Sequence, residues 1–375
     1  MAGIYIHIPF CRKACNYCNF HFSTTHHQIE PMMEAIEKEI LLQKTYLSET
    51  IDTVYFGGGT PSILTIAQLA KLLNTLRTQF NISPTAEITL EANPDDINTN
   101  KLLDWKLMGI NRLSIGVQSF DETDLLWMNR AHTAAQATNC IQLAKEVGFD
   151  NITIDLIYGS PVLTDEAWKK NVDTALAFGI PHLSCYALTV EPKTALDKLI
   201  QKKEVASVDP DKQAHHFTLL LEWLAAAGFE HYEISNFALP GHRSKHNSNY
   251  WQGKDYLGIG PSAHSFNGKT RQWNVANNSL YLQSMAQNTV PFEIEILSIE
   301  QQLNEYIMTS LRTLEGLSLA HIKTQWGDTF ANTIQQAAND LINCGYANLT
   351  DDFLILTNSG KLMADGIASD LFFVG

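Results

Sequence analysis

Short apolar runs rich in β-branched residues alternate with longer amphipathic stretches from Ile4 to Ala226, and no other feature of the 375-residue chain restricts its fold as much. Ile4–Ile8, Thr53–Phe56, Glu87–Glu91, Arg112–Gly116, Asn151–Leu156 and His182–Ala187 read as strands. Glu30–Thr45, Ile66–Phe80, Lys101–Met108, Ala134–Val147, Glu166–Ala177 and Asp211–Ala226 carry helical spacing. Strands separated by helices must run parallel, each helix crossing back over the sheet. Six such units are too few to close an eight-fold barrel. The expected fold is therefore α/β, an open, partial (β/α)6 TIM-like barrel. Ligands of such folds bind beyond the carboxyl ends of the strands.

Phe229–Trp273 is rich in Gly, Asn, His and aromatic residues, which predicts an irregular segment lying against the sheet opening. Beyond it the pattern changes. Helical stretches at Glu300–Leu314, Leu319–Trp326 and Thr333–Cys344 precede a hairpin centred on Asp351–Asp352 and a last helix. That order predicts a small winged-helix-like α+β domain over residues 291–375, after a barrel over 1–290 that includes the segment around His246.

Acidic residues number 40 and basic residues 26, a net charge of −14 with no basic face, so no nucleic-acid partner is expected. No apolar run is long enough to cross a bilayer, so no membrane span is expected. The first residues, MAGIYIHIPF, lack the basic start and cleavage site of a secretory signal. A cytoplasmic location follows as the expectation. A disulfide framework is not expected there, and the scattered Cys140, Cys185 and Cys344 read as small core residues.

The other three of the six cysteines fall in Cys11-x3-Cys15-x2-Cys18, on the loop after the first strand. Iron–sulfur clusters take thiolates from such compact loops. Three thiolates on a [4Fe–4S] cluster leave one iron open to another ligand. Rival readings exist. His21 would complete a Cys3His zinc site, whereas a ferredoxin-type loop needs a fourth cysteine, which is missing nearby. The second strand runs into Phe56-Gly57-Gly58-Gly59-Thr60-Pro61, where glycines allow the backbone to approach a ligand closely. A plain strand–helix turn is the simpler reading of that run when it is taken alone.

With these motifs the chain resembles the radical S-adenosylmethionine (SAM) superfamily, and within it the oxygen-independent coproporphyrinogen III oxidase-like group. The resemblance spans nearly the whole chain. Its residues are Tyr5-Ile-His7-Ile-Pro9-Phe10-Cys11, Gly57–Ser62, Glu91 in LEANPDD, Gln118 in SIGVQSF, Arg130 in MNRAH and Asp155 in IDLIYGSP. The resemblance implies a [4Fe–4S] cluster on Cys11, Cys15 and Cys18. It also implies a SAM site built from Tyr5, Gly58, Gly59, Thr60, Glu91, Gln118, Arg130 and Asp155. In that chemistry the reduced cluster passes one electron to SAM, giving methionine and a 5′-deoxyadenosyl radical. Without the resemblance, Tyr5 reads as strand packing, and Gln118 and Asp155 as helix caps.

Two departures separate the chain from the oxidases of that group. They carry C-x3-C-x2-C-x-C, and Phe20 stands at the last position here. They also have a longer N-terminal extension, whereas this sequence begins three residues before its first expected strand. Both features resemble the haem chaperone branch, as does His246-Asn-Ser-Asn-Tyr250-Trp251, which matches its HNxxYW motif. That likeness implies haem contact at His246, with His242 and His264 as weaker candidates; packing is the plain alternative for a histidine among aromatics. The Gly258-Ile-Gly260 run reads as a backbone turn. The implied partners are haem, haem-accepting proteins with respiratory proteins among the candidates, an electron donor, and a second copy of the chain in a homodimer. Two other classes stay open: an oxidative decarboxylase of coproporphyrinogen propionates, and a non-catalytic iron–sulfur interaction module.

Overall fold

The computed structural model describes residues 2–373. The expected alternation is present. Strands β1 (Ala2–Ile8), β2 (Ile51–Gly58), β3 (Ile82–Ala92), β4 (Arg112–Gln118), β5 (Ile152–Tyr158) and β6 (His182–Ala187) pair in that order and run parallel. Helices α1 (Ile29–Leu42), α2 (Ile66–Gln79), α3 (Thr99–Leu107), α4 (Glu122–Trp127), α5 (Ala134–Glu146) and α6 (Asp165–Ala177) connect them. Local chemistry sets the helix starts. Thr65 with Gln68 and Thr133 with Gln136 form reciprocal capping boxes at α2 and α5.

The alternation of side chains along each strand decides what faces what. Ile4, Ile6 and Ile8 of β1, Val54 and Phe56 of β2, and Leu113 and Ile115 of β4 join one core with Met32, Ile36, Leu69 and Leu73 from the helices. The opposite face lines the inside of the curved sheet and is polar. Tyr5, Tyr55, Thr89 and Arg112 stand in register across four neighbouring strands. Arg112 is buried and bonded to Asn151 and Thr153. A barrel whose lumen carries polar side chains must either pair them internally or present them to a ligand.

Phe229–Trp273 departs from the expectation of an irregular segment. After α7 (Ala195–Gln201) and α8 (Pro210–Ala226), the chain forms β7 (Glu230–Glu233), β8 (Asn236–Ala238), α9 (Lys245–Trp251), β9 (Tyr256–Ile259), β10 (His264–Phe266) and β11 (Thr270–Asn274). After α10 (Asn278–Ala286) comes β12 (Phe292–Ile296). These strands extend the sheet at both edges to twelve strands, in the order β12-β11-β10-β9-β1-β2-β3-β4-β5-β6-β8-β7. Strands of three to five residues are too short to show a period. Their pairing comes from the free edges of the parallel sheet.

A second core gathers Leu303, Ile307 and Leu311 of α11 (Ile299–Leu311) with side chains of α12 (Leu319–Trp326) and α13 (Asp328–Asn343). β13 (Leu317–Ser318), β14 (Ala347–Thr350) and β15 (Phe353–Leu356) make a three-stranded antiparallel sheet, followed by α14 (Asn358–Lys361) and α15 (Ala364–Asp370). The hairpin turns at Asp351 and Asp352, both with positive φ (49° and 67°), as a two-residue turn between twisted strands demands. Among the described residues no helix is long and apolar enough to cross a membrane.

Candidate cofactor pocket

At the carboxyl ends of the parallel strands lies a cavity of about 390 Å³. Cys11, Cys15, Cys18, Gly58, Gly59, Thr60, Glu91, Gln118, Arg130 and Asp155 all line it. Ten positions scattered over 145 residues of sequence thus meet in one hollow, as the rule for parallel sheets anticipates.

The cysteine loop is pinned at its base and along its length. Cys11 N–H donates to the Ser23 carbonyl (3.0 Å) and Ser23 N–H to that of Pro9 (2.9 Å), closing the loop like a clasp. Asn16 N–H donates to the Met128 carbonyl, and Asn129 donates to that of Ala14 (2.8 Å). Arg12 reaches across to Asp96 at 2.6 Å. The backbone presenting the thiols is therefore tied to three separate parts of the barrel. The thiol of Cys11 accepts from Thr60 (3.4 Å), and burial pushes it up to about 11. Cys15 accepts from Arg130 Nη1 at 3.2 Å. His21, the fourth ligand of the rival zinc reading, turns away: its Nε2 bonds Asn278 (2.7 Å), and its carbonyl accepts from His7 Nε2 at 2.8 Å. Among the described residues no three His, Cys, Asp or Glu side chains converge as ligands of a single ion. The donor set is three soft thiols on one loop, which suits an iron–sulfur cluster and not a closed zinc site.

The glycine turn is required sterically. A Cβ on Gly58, whose φ is +109°, would stand 2.7 Å from the His7 ring, and one on Gly59 would stand 2.6 Å from the Phe10 carbonyl oxygen. The turn thus packs directly beneath the start of the cysteine loop.

Glu91 accepts from the Tyr55 hydroxyl at 2.8 Å, and burial raises its carboxyl to about 8. Burial likewise raises Asp155 to about 6, offset by bonds from Ser184 and Ser114. Gln118 ends β4 with φ +67°, a conformation costing on the order of 1 kcal/mol or more for a residue with a side chain. A register shift between Ile115 and Gln118 accompanies it, so β4 bends where it reaches the pocket. Arg130 is half-buried. Its Nη2 donates to Asn93 (2.8 Å) and the Gly116 carbonyl (2.7 Å), while its Nε is a buried donor without a partner. Arg130 thus lines the hollow with one buried donor left unpaired, a group that an added acceptor would satisfy.

Tyr5 and His246 lie elsewhere. Tyr5 is not part of the lining; it sits one layer deeper, its hydroxyl 3.1 Å from His7 Nδ1 and its ring 6.0 Å from Tyr55. His246 is deeper still, 2% exposed, near the amino ends of β1 and β2. Its Nδ1 bonds Thr53 (2.8 Å), its Nε2 bonds Tyr250 (2.9 Å), and its ring stacks on Tyr55 at 4.9 Å. Buried Glu87 accepts the backbone N–H groups of Lys245 and His246, fixing α9 in place. Neither ring nitrogen of His246 is free in this arrangement. His242 and His264 are both exposed, and the Gly260 N–H donates to Glu39 (2.8 Å) beside the end of β1.

Asn93, Ser114 and Tyr186 line the pocket without having been singled out from sequence. Ser114 and Tyr186 occupy the same inward register as Asp155 and Ser184, so strand alternation carried their signal. Asn93 bridges Thr60 (3.1 Å) and Arg130, a role visible only in space.

Comparison with known proteins bears on the same residues. Residues 5–175 match the radical SAM superfamily, and residues 297–363 match the HemN C-terminal domain. The chain is 35% identical over 375 residues to the heme chaperone HemW of Mycobacterium tuberculosis (strain ATCC 25618 / H37Rv), covering 98% of this chain and 94% of that one. It is 33% identical over 372 residues to the heme chaperone HemW of Bacillus subtilis (strain 168), covering 98% of each. The solved structure of coproporphyrinogen III oxidase (HemN) from Escherichia coli, a radical SAM enzyme, matches with a TM-score of 0.86 at 25% identity, over 99% of this chain and 90% of that one. The sequence motifs, the twelve-stranded fold and these likenesses agree that the chain belongs to the radical SAM superfamily, in the HemW family.

Proposed function

We propose that this protein is a haem chaperone: it binds haem, carries a [4Fe–4S] cluster with SAM beside it, and hands haem to acceptor proteins, respiratory proteins among them. The observation that carries the reading is the meeting of Cys11, Cys15 and Cys18 with the Gly58–Thr60 turn in one cavity, in a chain whose relatives are named heme chaperones. Those cysteines would hold the cluster. When reduced, the cluster would supply one electron to the sulfonium of SAM. The backbone of Gly58, Gly59 and Thr60 would seat the methionine part of SAM. Glu91 would accept from its amino group or ribose, while Gln118 and Asp155 bound the far wall. Arg130 would keep Cys15 and Asn93 in place and offer Nε to an acceptor. Tyr5 would act from below, through His7 and the turn that rests on it. Haem contact at His246 would require the Tyr250 bond to open, since both ring nitrogens are bonded. An electron donor and a second copy of the chain complete the partners of this reading.

Anaerobic reconstitution with iron and sulfide, then titration of one preparation with haem and with SAM, tests it. Stoichiometric haem binding and a SAM-induced change in the cluster spectrum are the expected results. Formation of protoporphyrinogen from coproporphyrinogen would replace the reading with the decarboxylase. A four-coordinate zinc at the thiols would remove its basis.

A further inference from the structure

A second hollow lies at the amino ends of the strands, outside the sealed His246. A cavity of about 350 Å³ lies there, beside α9 and the starts of β2 and β3. Its lining includes three cations, Arg243, Lys245 and Lys254, and one carboxylate, Asp52. Arg243 is already committed, to Glu230 at 3.1 Å and Glu315 at 2.6 Å. Among the described residues, Lys245 and Lys254 make no ion pair, while Arg243 beside them makes two. In a chain of net charge −14, this lining holds more cations than carboxylates, and two of its ammonium groups have no ion pair. The hollow also adjoins the buried histidine. Thr53 Oγ1 bonds His246 Nδ1 at 2.8 Å and faces Asn249 Nδ2 at 3.5 Å, and both Thr53 and Asn249 line the cavity. Anything seated there lies one hydroxyl away from His246.

We propose that this cavity is a carboxylate site for the propionate arms of haem, with Lys245 and Lys254 as the recognising cations. The inference rests on the haem reading given above and adds to it where the ligand is held. A hollow of this volume lies at the small end of ligand pockets, so it suits the acidic arms, with the macrocycle against its mouth. Two cations match two propionates. At solvent-screened lysines each such contact is weak, so loss of both predicts about a ten-fold weakening.

The test compares the reconstituted full-length protein with its Lys245→Gln/Lys254→Gln variant. Each is titrated with haem and with haem dimethyl ester, whose propionates carry no charge, and with inorganic phosphate as a competitor. The wild type should prefer haem over the ester by about ten-fold. The variant should bind both alike, at the affinity of the ester, and should keep the wild-type spectral response to SAM. A variant that retains the wild-type preference overturns the proposal. So does a wild type that binds haem and ester equally; if phosphate binding then depends on the two lysines, the site belongs to a free phosphate. A wild type that binds no haem overturns the haem reading itself and this proposal with it, and is told apart from the other two by that alone.

Discussion

The two mouths of the barrel are built from the same strands and resolve the same problem in opposite ways. Both ends of the lumen carry buried polar side chains. At the carboxyl mouth they stay open: three thiols line a cavity, Arg130 Nε lacks a partner, and Gln118 is held at positive φ. At the amino mouth the central histidine is sealed, with both nitrogens bonded and its ring stacked on Tyr55. The ring of Tyr55 spans the difference, its hydroxyl on Glu91 above and its face on His246 below. The orphaned donor of Arg130 and the positive φ of Gln118 both belong to the carboxyl mouth, and each costs stability there. His246 itself can take a ligand only by exchanging a bond it already has.

The sharpest way to break this contrast is to empty the carboxyl mouth. Cys11→Ala/Cys15→Ala/Cys18→Ala should abolish iron incorporation and every spectral response to SAM, while haem titration still saturates at the wild-type stoichiometry. Loss of haem binding in that variant would mean that the two mouths act as one site.

Their electrostatics should differ in sign. Glu91, raised to about 8 by burial, keeps its proton in the fold where the unfolded chain has released it above about 4.5. Stability from this group therefore falls as pH rises from about 4.5 to about 8. His246, lowered to about 3 by burial, stays neutral in the fold while the unfolded imidazole protonates below about 6.5. Its contribution falls as pH drops from about 6.5 towards 3. Urea midpoints of cluster-free protein, taken from pH 4 to pH 8.5, should show the alkaline slope reduced in Glu91→Gln and the acid slope reduced in His246→Gln. Slopes unchanged in both variants would refute the assigned burial of the two groups.

The smallest expected effect concerns the residue between the mouths. Tyr55→Phe removes one hydrogen bond to Glu91 and keeps the ring on His246. It should cost about 1 kcal/mol in denaturant titration. It should also weaken SAM more than haem. Equal weakening of both ligands would place the coupling in the ring stack instead.

Much of the carboxyl mouth was legible in the chain, because its groups sit at strand ends and on one short loop. Cys11, Cys15 and Cys18 are neighbours in sequence, Gly57–Gly59 end β2 and begin the turn after it, Glu91 and Gln118 lie at strand ends, and Asp155 points inward from the middle of β5. The amino mouth was not legible. The HNxxYW motif gave no hint that His246 points into the lumen, since that depends on Glu87 and Thr53, more than 150 residues earlier. Nor did the composition of Phe229–Trp273 reveal that its short strands would finish both edges of the sheet.

The sequence by itself determined the parallel α/β plan, the helical and hairpin order of the second unit, and the set of soft ligands on one loop. These follow from period, spacing and side-chain chemistry, which are local. Only the tertiary structure decided which polar groups keep a free atom and which are paired, and so which end of the lumen stands open. Hydrogen-bond satisfaction and burial depend on what distant segments bring into contact, and no local pattern records it.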